Sequence, residues 1–254
     1  MPNQLNIGAY LQRLNYTDSV DVNLQTLRSL QVAHLLSVPF ENLDVALGQP
    51  IYLDDRSLFN KIVKQRRGGF CYELNSLFSK LLQELGFDVT LLSARFIRAD
   101  GSVAPEFDHL VLLVQLEEPW LVDVGFGDSF RKPLPLQPAM DVEKGDYRLI
   151  CNDDRDWTLQ RREDETTWQD KYRFTLQPRQ LADFTEMCHY HQTSPETLFT
   201  QKRLCTIATP EGRITLIDMQ LTITQGSQRN EQLLSSQSDY TTVLHKYFGI
   251  DLGG

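Results

Sequence analysis

One short stretch gathers the residue types that covalent chemistry needs: Arg66-Arg67-Gly68-Gly69-Phe70-Cys71-Tyr72-Glu73-Leu74-Asn75. Two glycines allow a tight turn and a close approach of backbone to a ligand. Cys71 follows at once, where a helical pattern begins. Leu74, Leu77, Phe78, Leu81, Leu82 and Leu85 share one face, and Gly86 stands where a C-terminal cap belongs. A thiol at a helix N-terminus feels unpaired N–H groups and the positive end of the dipole, and both favour the thiolate. This is how an attacking sulfur is built. Free cysteines are more often buried and inert; the Gly-Gly turn and the helix start argue for the nucleophile.

A nucleophilic cysteine requires a base, and the base an orienting group. Of the five histidines, His34 falls in an amphipathic helical stretch and His245 in the last helix. His189 and His191 form His-x-His beside Cys188. Residues two apart on a helix diverge, and nothing nearby completes a ligand spacing, so no metal is expected. His109 opens an apolar strand, so its ring emerges at a strand end. Downstream, Trp120-Leu121-Val122-Asp123-Val124-Gly125-Phe126-Gly127 puts an acid inside an apolar strand, where it needs a partner. Imidazole would serve. A tight hairpin centred on Glu117-Glu118 leaves Asp123 several residues short of His109 and brings Asp128 nearer, so spacing keeps both acids open.

The elements that must position these groups change character along the chain. The first third reads as helices, the last of them starting at Cys71. Residues 89–97, 109–116 and 120–126 read as strands, followed by 147–152, 157–162 and 167–176. A helix over 179–191 leads to a strand pair, 200–209 and 213–223, joined at Pro210-Glu211-Gly212. A last helix over 239–249 takes Asp239 as its N-cap. Helices, then strands, then a mixed end predict an α+β protein. Three parts are expected: a helical bundle over 1–86 carrying the nucleophile, a β-rich domain over 87–190 carrying the histidine and the acid, and an α/β lid over 191–254.

With 254 residues, 41% of them hydrophobic, the chain can build a core without disulfide or metal staples. A net charge of −9 and the lack of a basic run exclude a nonspecific nucleic-acid binder. No apolar stretch has the length of a signal peptide or a membrane span, and the four cysteines form no Cys-x-x-Cys. The expectation is a cytoplasmic protein with reduced thiols and no membrane partner. A polyanionic co-substrate would need a donor-rich pocket against this overall charge.

The sequence resembles the arylamine N-acetyltransferase family. The resemblance rests on Pro39-Phe40-Glu41-Asn42-Leu43-Asp44, on the segment from Arg66 to Asn75, on His109-Leu110, on Val122-Asp123-Val124-Gly125-Phe126-Gly127 and, more weakly, on Thr193-Ser194-Pro195. These motifs occur in family order and span most of the chain. The resemblance implies a helical bundle, a β-barrel-like middle and an α/β lid around a papain- and transglutaminase-like cysteine core. It implies the triad Cys71, His109 and Asp123, and so selects Asp123 over Asp128. It implies a ping-pong reaction in which acetyl-CoA is a co-substrate, with no tightly bound cofactor. The acceptor is a small aromatic amine, hydrazine or N-hydroxyarylamine. Phe70 and Phe126 are expected as acceptor-pocket walls. Ala104, Pro105, Gly125 and Gly127 are expected near the coenzyme, and Glu41 with Arg67 as a buried ion pair. An amide synthase of aromatic-amine biosynthesis and a cysteine hydrolase are the rival readings.

Overall fold

A computed structural model describes residues 5–128, 130–137, 146–153 and 156–252. Its N-terminal helices are α1 (Ile7–Arg13), α2 (Leu24–Ser37), the short α3 (Leu43–Ala46), α4 (Asp55–Phe59), which runs on as a π-turn over Asn60–Lys64, and α5 (Cys71–Glu84). In α5 every residue from Cys71 to Ser79 is buried, and so are Leu81 and Leu82. Such a helix is a core element, with layers on both sides. Its apolar stripe packs on Tyr10, Leu14, Leu27 and Leu30 from α1 and α2, and on Leu110, Leu112 and Val114 from the sheet behind it. Gly86 ends it at φ +97, a conformation that favours glycine.

The middle of the chain forms a seven-stranded antiparallel, barrel-like sheet. Its strands are β2 (Asp88–Phe96), β3 (His109–Gln115), β4 (Pro119–Val122), β5 (Leu134–Pro135), β6 (Tyr147–Asp153), β7 (Asp156–Arg162) and β8 (Trp168–Thr175), in the order β5-β4-β3-β2-β8-β7-β6. Then come a 3₁₀ turn over Leu181–Phe184, α6 (Thr185–Thr193) and α7 (Leu198–Gln201). The chain closes with β9 (Leu204–Thr209), β10 (Gly212–Ile217), β11 (Gln220–Gln225), β12 (Gln228–Leu233) and α8 (Gln237–Val243). These four strands form a second sheet, whose β9 edge is extended by β1 (Phe40–Glu41) from the N-terminal region. The fold is therefore α+β, as expected. No helix among the described residues is long and apolar enough to cross a membrane.

Several details depart from the sequence reading: β12 has no counterpart in it, residues 200–201 end α7 instead of opening a strand, and three more concern turns, caps and strand ends. Residues 213–223 are two strands, because the chain turns at Asp218, which takes φ +50 without a glycine. The last helix is capped by Ser236, whose hydroxyl accepts from Asp239 N–H; the Asp239 carboxylate instead accepts from Ser235. Strand β4 ends at Val122, so Asp123 follows the strand rather than lying within it.

Candidate active site

Cys71 opens α5 because Phe70 before it is extended (φ −96, ψ −174) and Glu73 folds back to accept the Phe70 N–H at 3.1 Å. The turn ahead of it needs both glycines. A Cβ on Gly68 would fall 1.9 Å from the Pro39 carbonyl oxygen, and one on Gly69 would fall 2.6 Å from a Glu73 oxygen. This closeness lets Glu41 N–H donate to the Gly69 carbonyl at 2.9 Å, which ties the cysteine turn to β1.

A buried charge network sits beneath that turn. Glu41 accepts from Arg67 Nε at 2.9 Å, from Gly68 N–H at 3.2 Å and from Leu43 N–H at 2.7 Å. Arg67 also donates to Asp44 at 2.8 Å, and Lys61 bridges Asp44 at 2.8 Å and Glu73 at 2.7 Å. Burial pushes Glu73 up to about 7, against the pull of Lys61. Burial works against the Lys61 charge, but Glu73, Glu41 and Asp44 outweigh it and raise its pKa. Glu41 and Arg67 are thus bonded to each other, within a larger cluster.

His109 and Asp123 meet because β4 stops. Along the hairpin Leu112 faces Val122, so a continued strand would set Asp123 opposite Val111, two residues from His109. The chain leaves the ladder there, and His109 Nε2 donates to Asp123 Oδ2 at 2.8 Å, with both side chains fully buried. Tyr172 OH also donates to Oδ2, at 3.3 Å. Oδ1 accepts from Asn75 Nδ2 at 2.9 Å and from Gly125 N–H at 2.8 Å. Four donors surround one carboxylate, which satisfies a buried anion. Asn75, four residues after Cys71, also donates to the Leu110 carbonyl and accepts the Val124 N–H, so one amide links the helix to both neighbours of the site. Asp128 goes elsewhere, to Arg161 at 3.0 Å and Arg213 at 3.1 Å.

His109 Nδ1 is buried and has no hydrogen-bond partner among the described residues. His109 and Cys71 line the same cavity, and the backbone of Leu110, next to His109, acts on the Cys71 thiol. Gly125 closes over the cysteine: a Cβ there would lie 2.7 Å from Cys71 Cα and 2.7 Å from Asn75 Nδ2. Burial is the largest influence on the thiol and pushes it well above its ordinary range. The Leu110 backbone opposes this, while the charges of Asp108 and Asp123 add to it. The lowering expected from the helix start is therefore reversed by desolvation, and a thiolate here needs a cation beside it.

The cavity has a volume of about 680 Å³, within the range of small-molecule sites. Phe126, Ala104, Pro105, Gly125 and Gly127 line it. Phe70 does not, among the described residues: its ring is fully buried, edge-on to Tyr72 and to Phe199 at 5.1 and 5.7 Å. Its place on the wall is taken by Phe199, which arrives from α7 by tertiary packing. Sequence reading also missed Phe96, Thr206, Arg213, His191 and Asp108, which line the cavity from β2, β9, β10, α6 and the turn before β3. Asn75 stood in the cysteine motif, and an amide on the buried side of a helix was the available signal.

An α+β frame that sets a helix-start thiol and an imidazole on one cavity, with a buried carboxylate behind the imidazole, has the make-up of an enzyme that passes an acyl group through a cysteine, whether to water or to another acceptor. The family model described as N-acetyltransferase matches residues 23–254. The Escherichia coli arylamine N-acetyltransferase is 35% identical over 251 residues, covering 96% of this chain and 88% of its own. The solved arylamine N-acetyltransferase of M. tuberculosis superposes with a TM-score of 0.90 at 32% identity, over 97% of this chain and 94% of that one. That of Mycobacterium marinum in complex with CoA gives 0.88 at 31%, over 96% and 93%. The chain belongs to the arylamine N-acetyltransferase family.

Proposed function

We propose that this protein moves the acetyl group of acetyl-CoA to the nitrogen of arylamines, arylhydrazines or N-hydroxyarylamines, by a ping-pong route through acetyl-Cys71. The observation that carries this reading is the Asp123-oriented His109 on the same cavity wall as Cys71, with Nδ1 left unpartnered among the described residues. In this reading the Cys71 proton passes to Nδ1, and the imidazolium supplies the cation that the buried thiolate needs. The sulfur attacks the thioester carbonyl, the carbon–sulfur bond to coenzyme A breaks, and His109 returns the proton to the departing thiolate. The neutral aromatic amine then attacks acetyl-Cys71. His109 takes the proton the amine loses, and passes it to the Cys71 sulfur as the amide leaves. Backbone N–H groups around Cys71 steady the tetrahedral oxyanion. Asp123 holds the Nε2–H tautomer throughout.

Phe126, with Phe96 at 5.3 Å, gives an aromatic acceptor edges and faces to pack on. The CoA complex of the Mycobacterium marinum relative supports acetyl-CoA as the donor. The test is acetyl-CoA consumption with and without an arylamine. Transfer predicts free coenzyme A in step with acetylated amine, and little without amine. Amine-independent turnover would make the protein a hydrolase, and preference for a long-chain thioester would point to an amide synthase.

A further inference from the structure

A second imidazole–carboxylate pair stands on the wall of the same cavity. His191 Nε2, from α6, lies 3.2 Å from Asp108 Oδ1, with side chains 10% and 11% exposed. Asp108 immediately precedes His109, and the segment that delivers it is strained. Phe107 has φ +66, a left-handed conformation that a phenylalanine keeps only where its surroundings impose it. Two hydroxyls do so here. Ser93 Oγ accepts the Phe107 N–H at 2.8 Å, and Tyr72 OH donates to the carbonyls of Phe107 and Asp108 at 2.8 and 3.1 Å. Tyr72 follows Cys71, so this hydroxyl ties Asp108 to the first turn of the cysteine helix.

A bare carboxylate at this place opposes the proposed chemistry, because Cys71 must become an anion in the same cavity. Of the two acids whose charges push the thiol up, Asp108 acts more strongly than Asp123. Asp123 already has four donors, whereas His191 is the one basic side chain within ion-pair distance of Asp108 among the described residues. Neither ring nitrogen of His191 makes an aligned hydrogen bond there, so the ring is held by charge and packing. The groups facing it are Asp108, Tyr72 of α5 at 6.0 Å between ring centroids, Phe199 of α7 at 5.2 Å, and Tyr190 of its own helix. The Tyr190 hydroxyl donates to Glu196, and Cys188 of α6 acts on both Tyr72 and Cys71.

We propose that His191 is a positioning residue for the first half-reaction: as an imidazolium it offsets the Asp108 carboxylate, so that the cavity accepts a thiolate at Cys71. This rests on reading Cys71 as the nucleophile. It adds a second histidine, one that acts through Asp108 rather than on the reacting atoms, and it gives Asp108 a partner.

The test is the pH profile of Cys71 alkylation by iodoacetamide, mapped by peptide mass, in the parent, His191→Gln, Asp108→Asn and the double variant. A carboxylate without its counter-ion favours the protonated thiol. In His191→Gln the midpoint therefore moves up by about one pH unit, and alkylation at pH 7 slows about tenfold. Asp108→Asn is no slower than the parent. The double variant returns to within about threefold of the parent, since one change removes what the other left unpaired. Should His191→Gln not fold, His191→Asn takes its place. An unmoved midpoint in the single variant overturns the proposal. So does a double variant as slow as the single one, which would make His191 a packing residue. Uptake of acetyl from acetyl-CoA, followed in parallel by intact mass, separates a failure of the functional reading from a failure of this one.

Discussion

Replacing Asp123 by asparagine changes a single atom, and the surroundings of that atom dictate the outcome. Oδ1 accepts two fixed donors, Asn75 Nδ2 at 2.9 Å and Gly125 N–H at 2.8 Å. In Asp123→Asn the amide oxygen must stay there, because the amide nitrogen would face two donors and leave buried N–H groups unpaired. The NH₂ group therefore takes the place of Oδ2, 2.8 Å from His109 Nε2. An NH₂ group donates, so Nε2 must now accept, and the ring proton moves to Nδ1. The nitrogen proposed to receive the Cys71 proton is then occupied. The negative charge that stabilises the imidazolium is lost as well. A triad carboxylate replaced this way costs on the order of 10⁴-fold, or about 5.5 kcal/mol of barrier. The assay is the stopped-flow burst of nitrophenolate from p-nitrophenyl acetate, which reports acylation alone, with the melting temperature as a control for folding. Acylation within tenfold of the parent, in a variant that melts normally, would refute the tautomer reasoning.

Other perturbations follow from the same structure. Arg67→Ala removes a two-pronged bond to the fully buried Glu41 and one to Asp44; a broken buried pair costs about 3–5 kcal/mol, so thermal unfolding shifts down by roughly 6–20 °C, and a shift under 2 °C would contradict it. Gly125→Ala sets a methyl 2.7 Å from Cys71 Cα, so acylation and stability fall together; a parent-like burst would show that the loop has room. Glu73 stays protonated in the fold up to about 7 but in the unfolded chain only to near 4.5. Folding therefore takes up a proton across that interval, and this group's contribution to stability falls as pH rises through it. Melting temperatures of Glu73→Gln measured from pH 4.5 to 7 should fall less steeply than the parent's, and parallel curves would contradict the assignment.

Local signals in the sequence were enough for the cysteine helix. A leucine stripe, a glycine turn before it and Gly86 after it all agree with α5, and His109 does open its strand. Asp123 was harder. The hairpin register is local, but the place where β4 leaves the ladder is set by Asn75 and Gly125 gathering the carboxylate, and pairing rules do not contain that. The turn at Asp218 was hidden because it carries neither glycine nor proline, and β12 because all its residues are exposed and give no alternation. Phe199, His191 and Arg213 reach the cavity only through the packing of segments far apart in the chain. The direction of the Cys71 thiol was misjudged for a related reason. A helix start is visible in a sequence, whereas desolvation is the sum of everything that closes over the sulfur.

The central claim is that Cys71 carries the acyl group, and intact-protein mass spectrometry tests it directly. Acetyl-CoA added without acceptor should raise the mass by one acetyl group, about 42 Da, mapped to Cys71; an arylamine should discharge it, and Cys71→Ala should never gain it. A parent that turns over acetyl-CoA and arylamine while its mass never changes, or a Cys71→Ala variant that still acetylates the amine, would contradict the account.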